Sequence, residues 1–243
     1  MKHNLLVSSF LFSATLFSST AIQAASQEAA TVAPLHEESY AVDSFYYLPP
    51  PPKEGDAAFE NDKAAYHNGF KMKGSERWRQ AAVDADLSRA NQAAVWSDAL
   101  GVKISEAETP ATWKMLGEIL VVGDYASNRA KQHYMRTRPF VVFKNPTCQP
   151  DDEAALRKNG SYPSGHTTFG TITALVLSQA KPERAQELMK KGYDFGQSRV
   201  ICGAHWQSDV DAGRYVGATE YARLATVPEF NKQMEQVKAE LHQ

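Results

Sequence analysis

The sequence predicts an all-α protein with a single helical domain. Apolar residues recur at helical spacing over most of the chain beyond residue 60, while the alternation typical of strands is scarce. Of the 243 residues, 43% are hydrophobic and 22% are charged, and the formal net charge is -2. This composition is typical of a soluble globular domain. It provides no basic excess that would indicate a nucleic-acid-binding protein.

The first residues have the pattern of a secretory signal peptide. Lys2 precedes an apolar stretch over residues 5–17, and small residues follow through Ala24 and Ala25. A buried or membrane-anchoring helix is the alternative, but the apolar core is short for a bilayer. We therefore expect residues 1–25 to be removed, and we expect a periplasmic protein without stable membrane association.

Residues 26–60 are expected to form an extended lead-in to an all-α domain at residues 61–243. The proline run at residues 49–52 cannot lie within a helix or a central strand. Helical patterns begin at Asn61, and one of them covers residues 80–99.

Further helices are predicted downstream. Thr109 caps a helix that begins at Pro110. This helix must end before Arg138, because the residue preceding Pro139 is disfavoured in helical conformation. The remaining helices are expected over residues 167–180, from Pro182, over residues 205–225 and over residues 229–242.

Cys148 and Cys202 are the two cysteines of the chain. An exported protein meets oxidising conditions, and an even number of cysteines then indicates a disulfide. Two unpaired buried thiols are the alternative.

Two local patterns carry residues suited to binding an anion. Lys131 and Arg138 are seven positions apart and could lie on one helix face, although such a pair is more often solvated. The Pro-Ser-Gly-His string at residues 163–166 precedes an apolar helix. A helix N-terminus offers free N–H groups to an anion, and Gly165 permits close approach of the backbone. Ser164 could instead only cap the helix.

The third pattern is Ser198-Arg199, followed by His205 and Asp209. Four positions separate His205 from Asp209, so they are expected to be neighbours on one helix face. A carboxylate bonded to one ring nitrogen leaves the other as a nucleophile or metal ligand. Alone, such a pair is more often structural.

Together the three patterns favour phosphoryl transfer. The transferring group carries negative charge on three oxygens and needs convergent cations and N–H donors. Lys131, Arg138 and Arg199 supply that charge, so neither a metal nor another cofactor is required. One histidine can attack while the other protonates the leaving oxygen. A histidine metal site is disfavoured, because no carboxylate-rich or His-x-x-x-His cluster is present.

In order and spacing, these patterns resemble the signature of the phosphatidic-acid phosphatase type 2 and vanadium haloperoxidase superfamily. The string Gly-Ser-Tyr-Pro-Ser-Gly-His-Thr at residues 160–167 is similar to the hallmark of class A bacterial nonspecific acid phosphatases. The likeness extends over most of the mature chain and includes residues 48–52, 133–136 and 202–209.

The resemblance implies an all-helical bundle and a secreted, metal-independent acid phosphatase. It would hydrolyse phosphate monoesters through a covalent phosphohistidine, with phosphotransfer as a possible further activity. The resemblance makes His205 the nucleophile, Asp209 the partner of its other ring nitrogen and His166 the general acid. The implied phosphate cradle consists of Lys131, Arg138, Ser164, Gly165 and Arg199. Cys148 and Cys202 look like the paired cysteines of that class, joining the Arg199 segment to the loop after Arg138.

The implied partners are nucleotides, sugar phosphates and aryl phosphates, with no nucleic acid, and a homo-oligomer is expected. On the leaving-group side, Tyr162 could pack on an aromatic group or only on the helix end. Glu118 and Asp124 could line the mouth of the site, but we expect them to be solvated.

Three other functions were considered. A vanadium haloperoxidase would share the anion pocket, but the short chain and the class A string disfavour it. A membrane lipid phosphatase would need spanning segments that the sequence lacks after its first residues. A periplasmic phosphate-binding protein would leave two histidines and Asp209 without a purpose.

Overall fold

The computed structural model describes Leu35 and residues 40–242, and it has no β-strand among them. Eleven α-helices lie within these residues, so the all-α prediction is confirmed. In chain order they are α1 (Ser44–Tyr47), α2 (Ala57–Phe70), α3 (Glu76–Ala85), α4 (Arg89–Leu100), α5 (Pro110–Tyr134), α6 (Pro139–Phe143), α7 (Glu153–Leu156), α8 (Gly165–Ala180), α9 (Ala185–Ile201), α10 (Gln207–Leu224) and α11 (Pro228–Leu241). Short 3-10 turns at Pro150–Asp152 and Pro182–Arg184 precede α7 and α9.

The N-terminal part of the chain departs from its prediction in two ways. The segment up to residue 60 is not wholly extended, because it contains α1 and the first turn of α2. The predicted helix over residues 80–99 is two helices. Ser88 starts α4 as its N-cap and accepts a hydrogen bond from the backbone N–H of Asn91. The predicted signal peptide at residues 1–25 lies outside the described residues.

Helix α5 ends as proline geometry predicts, and this ending separates two of the predicted site residues. Met135 follows the helix in the left-handed region, with φ of 40°. Arg138 is extended, and Pro139 is the first residue of α6. Lys131 is therefore helical and Arg138 is not, so the expectation that they share a helix face is wrong.

Helix α8 lies at the centre of the fold and packs against α5, α9 and α10. Glycines let α10 approach it closely. A Cβ atom added at Gly213 would lie 2.6 Å from the carbonyl oxygen of Ser164, and one added at Gly217 would lie 2.8 Å from that of Thr168. Only glycine fits at such distances, so this contact fixes the position of the N-terminus of α8.

The main apolar core lies beside this contact. It surrounds Trp96, Phe169 and Phe195, which are buried, and it draws residues from α4, α5, α8, α9 and α11. Truncating a buried aromatic side chain of this kind costs about 3–5 kcal/mol. In the described part of the chain, no helix has the length and apolar character needed to cross a membrane.

The N-terminus of α5 is capped by a carboxylate from another helix. Glu240 on α11 accepts hydrogen bonds from the backbone N–H groups of Ala111 and Thr112, both at 2.9 Å. This contact satisfies donors that the helix cannot satisfy itself. It lies at the opposite end of α5 from Lys131.

Cys148 and Cys202 form a disulfide, as the sequence predicts. The bond joins the loop after α6 to the C-terminus of α9, and the backbone N–H of Cys148 also donates to the carbonyl oxygen of Cys202 at 3.1 Å. It therefore connects two segments that are 54 positions apart.

We expect replacement of both cysteines by alanine to lower the free energy of unfolding by about 4 kcal/mol. In the parent, the disulfide closes a loop of this length in the unfolded chain and so reduces its conformational entropy, and the variant loses this effect. Urea denaturation of the parent and the variant measures the difference. Dithiothreitol should destabilise the parent alone, and equal sensitivity in the double variant would contradict the prediction.

Candidate active site

A cavity of about 170 Å³ opens where the N-terminus of α8 meets the C-terminal part of α5. Five of the eight predicted catalytic and phosphate-binding residues line it, namely Lys131, Arg138, Gly165, His166 and His205. Leu87, Leu120 and Leu156 supply apolar walls. The other three predicted residues, Ser164, Arg199 and Asp209, are fully buried next to this lining.

Lys131 and Arg138 share a backbone acceptor. The carbonyl oxygen of Gly160 accepts from Nζ of Lys131 at 3.2 Å and from Nη2 of Arg138 at 3.3 Å. Gly160 is required here, since an added Cβ would lie 2.4 Å from the carbonyl oxygen of Lys131. The turn before residues 163–166 thus holds two cations side by side, although they come from different elements.

Arg199 brings a third cation to the site. It lies on α9, and its Nη1 donates to Oε1 of Gln149 at 2.5 Å. Its Nε and Nη2 atoms are buried without a hydrogen-bond partner. Buried polar groups are normally paired, so two free donors on a fully buried guanidinium indicate a place for an anion.

The electrostatics of the three cations support the same interpretation. Burial, together with Arg138, lowers the pKa of Lys131 to about 7. Burial lowers the pKa of Arg138 to about 10, and burial together with Arg138 lowers that of Arg199 to about 9. All three cations are destabilised by burial, Lys131 and Arg199 also by the charge of Arg138, and a bound dianion would relieve that cost.

His205 lies in a tight turn between α9 and α10. Gly203 has φ of 78°, in the left-handed region, which lets the chain turn back after α9. The backbone N–H of His205 donates to the carbonyl oxygen of Arg199 at 3.2 Å. The nucleophile predicted by resemblance is thus tied to the third cation through the backbone.

The contact with Arg138 indicates which ring nitrogen of His205 carries the proton. Its Nε2 lies 2.9 Å from Nη1 of Arg138, and because a guanidinium only donates, Nε2 must be the unprotonated nitrogen. Burial, followed by Arg138, Lys131 and Arg199, lowers the pKa of His205 well below its usual value. The guanidinium contact therefore places a lone pair on Nε2, and the direction of the pKa shift favours the neutral ring.

Asp209 lies close to the other ring nitrogen, but not on the same helix face as predicted. His205 precedes α10, whereas Asp209 is in its first turn and accepts from the backbone N–H of Trp206 at 2.9 Å. Oδ2 of Asp209 is 3.4 Å from Nδ1 of His205, and no hydrogen bond is formed between these two atoms. A capping contact, and not the i,i+4 helix spacing, brings the two together.

His166 follows the N-cap of α8. Its Nε2 lies 2.9 Å from the carbonyl oxygen of Ala85, which only accepts, so Nε2 carries the proton and Nδ1 does not. Burial, followed by the charge of Arg199, lowers the pKa of His166 well below its usual value. Both histidines line the same cavity, His205 beside the cations and His166 beside Leu87.

Ser164 acts as the cap that the sequence allowed as an alternative. Its Oγ accepts from the backbone N–H of Thr167 at 3.3 Å and from Oγ1 of Thr167 at 2.9 Å. Since that oxygen accepts twice, its own proton is left to donate elsewhere. Capping and phosphate binding are therefore compatible at this residue.

The leaving-group candidates are distributed differently from the expectation. Asp124 lines the cavity and is solvent-exposed. Glu118 is buried and accepts from the backbone N–H of Leu35 and from Nε2 of Gln233, so the expectation that it is solvated is wrong. The hydroxyl of Tyr162 donates to the carbonyl oxygen of Pro49, and its ring packs edge-on against Tyr134. Tyr162 thus packs at the helix end.

Sequence reasoning missed three residues beside the site. Gln149 contacts Arg199, and Arg136 contacts both Asp209 and Asp62. Asp62 lies on α2, far away in sequence, and no local pattern marks it. Arg136 had a signal, because it is a charged residue inside the stretch between Lys131 and Arg138.

Comparison with known proteins agrees with this geometry. Residues 112–231 match the family model of the PAP2 superfamily. The non-specific acid phosphatase of Salmonella typhimurium is 59% identical over 215 residues, which are 88% of this chain and 86% of that protein. The non-specific acid phosphatase of Providencia stuartii is 47% identical, over 84% of this chain and 83% of that protein. The acid phosphatase of Zymomonas mobilis is 38% identical, over 82% of this chain and 75% of that protein. The chain belongs to the PAP2 superfamily and, within it, to the bacterial non-specific acid phosphatases.

Proposed function

We propose that this acid phosphatase acts after export, without a metal, through a covalent phosphohistidine on His205. The observation that carries the proposal is the cavity itself, in which a neutral histidine faces buried cations at a helix N-terminus. Such an arrangement is complementary to a phosphoryl group in transfer, whose charge is spread over three oxygens.

In the first step, Nε2 of His205 attacks phosphorus and the bond from phosphorus to the leaving oxygen breaks. The lone pair needed for this attack is the one that accepts from Arg138 in the free enzyme. The ring becomes cationic as the nitrogen–phosphorus bond forms, and Asp209, at 3.4 Å from Nδ1, stabilises that charge.

The cradle for the phosphate oxygens would be formed by two kinds of donor. Lys131, Arg138 and Arg199 supply positive charge, which is the reason for proposing that no metal takes part. Ser164 and the backbone N–H of Gly165 supply hydrogen bonds at the start of α8. The free donors of Arg199 support its place in this set.

His166 would act as the general acid for the leaving oxygen and then as the base for water. Its unprotonated Nδ1 is the atom that must take up and release this proton, since Nε2–H is held by Ala85. Burial and then the charge of Arg199 lower the pKa of His166 in the free enzyme, and a bound phosphate dianion opposes the effect of Arg199. The substrate itself therefore favours the protonated acid.

Hydrolysis is completed when water attacks phosphorus and the nitrogen–phosphorus bond breaks, which returns His205 to its neutral form. An alcohol in place of water would receive the phosphoryl group in the same step. Nucleotides, sugar phosphates and aryl phosphates all fit a site whose charged groups contact the phosphate. Export is supported by the N-terminal sequence pattern and by the disulfide.

The test is hydrolysis of ³²P-labelled phosphomonoester in excess EDTA, quenched in alkali during the first turnover. Phosphohistidine is stable in base, so label should remain on the protein and map to His205. Activity that is lost with EDTA and restored by a divalent cation would overturn metal independence. Activity without protein-bound label would overturn the covalent intermediate.

The pKa of Lys131, about 7, predicts how activity depends on pH. Below this pKa the ammonium binds phosphate, and above it the charge is lost, so kcat/KM should fall by about tenfold between one pH unit below and one pH unit above the pKa. Lys131→Arg keeps its charge in this range and should show a smaller fall. The measurement is the ratio of kcat/KM one unit below and one unit above pH 7. Because both proteins use the same substrate, its ionisation cancels, and equal ratios would contradict the assignment.

A further inference from the structure

The side chain of Arg136 joins two buried carboxylates behind the proposed nucleophile. Its Nη1 donates to Oδ1 of Asp209 at 2.6 Å, and its Nη2 donates to Oδ2 of Asp62 at 2.8 Å. The side chains of Arg136, Asp62 and Asp209 are 7%, 2% and 0% exposed. Arg136 and Asp62 belong to none of the three sequence patterns, and the mechanism described above does not use them.

Several contacts hold the guanidinium of Arg136 in one orientation. The centre of its guanidinium is 5.5 Å from the ring of Trp206 and 5.7 Å from that of Phe59. Its Nη1 also donates to Oγ of Ser208, and its Nη2 to the carbonyl oxygen of Pro52. The geometry of a planar guanidinium then determines where both carboxylates lie.

Asp62 is equally constrained. Its Oδ1 accepts from the backbone N–H of Ser208 at 2.7 Å, and its Oδ2 accepts from the hydroxyl of Ser208 at 2.6 Å. These contacts connect α2 to the first turn of α10, where Asp209 lies. Asp62 is thus coupled to Asp209 by two routes, through Arg136 and through the neighbouring residue Ser208.

The two carboxylate oxygens of Asp209 have different partners. Arg136 engages Oδ1, while Oδ2 accepts from the backbone N–H of Trp206 and faces Nδ1 of His205. If Oδ1 lost its donor, the carboxylate could rotate away from the ring, and its negative charge would lose its buried counter-ion.

Charge balance explains why a second carboxylate is present. Lys131, Arg138 and Arg199 face His205 from the cavity side, with His166 nearby, while Tyr162 lies near Asp209. Arg136 alone would cancel the negative charge of Asp209. The positive field of the three cavity cations at His205 would then be unopposed. With Asp62, the group of three carries one net negative charge, which remains available when the ring becomes cationic.

We propose that Arg136 and Asp62 are positioning residues that orient Asp209 toward His205 and preserve its negative charge for the reaction. This inference rests on the function proposed for His205 and Asp209. It assigns a role in turnover to Arg136, between Lys131 and Arg138, and to Asp62 on helix α2, neither of which lines the cavity.

The test compares Arg136→Met, Arg136→Lys and Asp62→Asn. Each should lower kcat by about 10- to 100-fold, as removal of outer partners of metal ligands does, while KM changes little because the phosphate cradle is intact. Lysine retains the charge but cannot hold two carboxylates in one plane, so Arg136→Lys should rescue only part of the loss.

The decisive readout is the acid limb, which is the fall of kcat/KM at low pH that accompanies protonation of His205. Removing the cation of Arg136 makes protonation of His205 easier, so the acid limb should move to higher pH. Removing the anion of Asp62 makes protonation of His205 harder, so the acid limb should move to lower pH. A purely structural role predicts no such opposite shifts.

Glu240→Gln is the matched control, because it weakens a partly buried cap at the far end of α5. It should lower Tm and leave kcat and the acid limb unchanged. Shifts in the same direction for Arg136→Met and Asp62→Asn, or unchanged kcat in both, would overturn the proposal. If Arg136→Met does not fold, Arg136→Lys and Asp62→Asn decide the matter. Absence of alkali-stable label in the parent enzyme would instead refute the phosphohistidine, independently of these variants.

Discussion

His205→Ala is expected to reduce kcat for nitrophenyl phosphate at mildly acidic pH by at least about a thousandfold. The variant loses the lone pair that attacks phosphorus, and water cannot take the place of a nucleophile held against buried cations. The side chain lies in a turn outside the main apolar core, so the helices should remain folded. Steady-state kinetics and the alkali quench measure the loss of rate and of label together.

His133→Ala provides the matched control for this substitution. It removes a histidine that is exposed on α5 and packs on the rings of Phe45 and Tyr134. Its kcat should equal that of the parent. A His205→Ala protein with near-normal turnover, and with a circular dichroism spectrum like that of the parent, would show that another group attacks phosphorus.

His166→Ala should have an effect that depends on the leaving group. For alkyl phosphates, whose alkoxide is a poor leaving group, kcat should fall by about 10²- to 10⁴-fold, the usual contribution of a general acid. Nitrophenolate needs no proton to depart, so the loss on nitrophenyl phosphate should be clearly smaller. The ratio of the two losses is the measured quantity, and it does not depend on how much active protein each preparation contains.

The second step provides an internal check on His166. If this residue also activates water, the variant should accumulate phosphohistidine during turnover of nitrophenyl phosphate. An equal loss on both substrates, without accumulation of label, would mean that His166 positions the substrate and transfers no proton.

The parts of this molecule that could be predicted are those encoded locally. Proline positions predicted the start and the end of α5, because the proline ring restricts φ and lacks an N–H. The Ser-Gly-His string predicted a helix start, because capping depends on residues within one turn. The pairing of the two cysteines followed from number and compartment.

The parts that could not be predicted depend on contacts across the fold. Helical spacing was the wrong reason for the proximity of His205 and Asp209, since a capping turn at Trp206 brings them together. The burial of Glu118 depends on Leu35 and Gln233, which are distant in sequence. Arg136 and Asp62 meet only because α2 packs beside the start of α10. Such partners have no fixed spacing, so a pattern search does not find them.

The disulfide gives covalent support to one of the proposed phosphate-binding residues. Gln149, which contacts Arg199, directly follows Cys148, and Arg199 itself lies three positions before Cys202. Before the bond forms, the loop that contacts the third cation is held by noncovalent contacts alone. On the proposed export route, this covalent link is added only after the chain has left the reducing cytoplasm. The support of the third cation would then be weakest in the compartment that holds the metabolic phosphate esters of the cell.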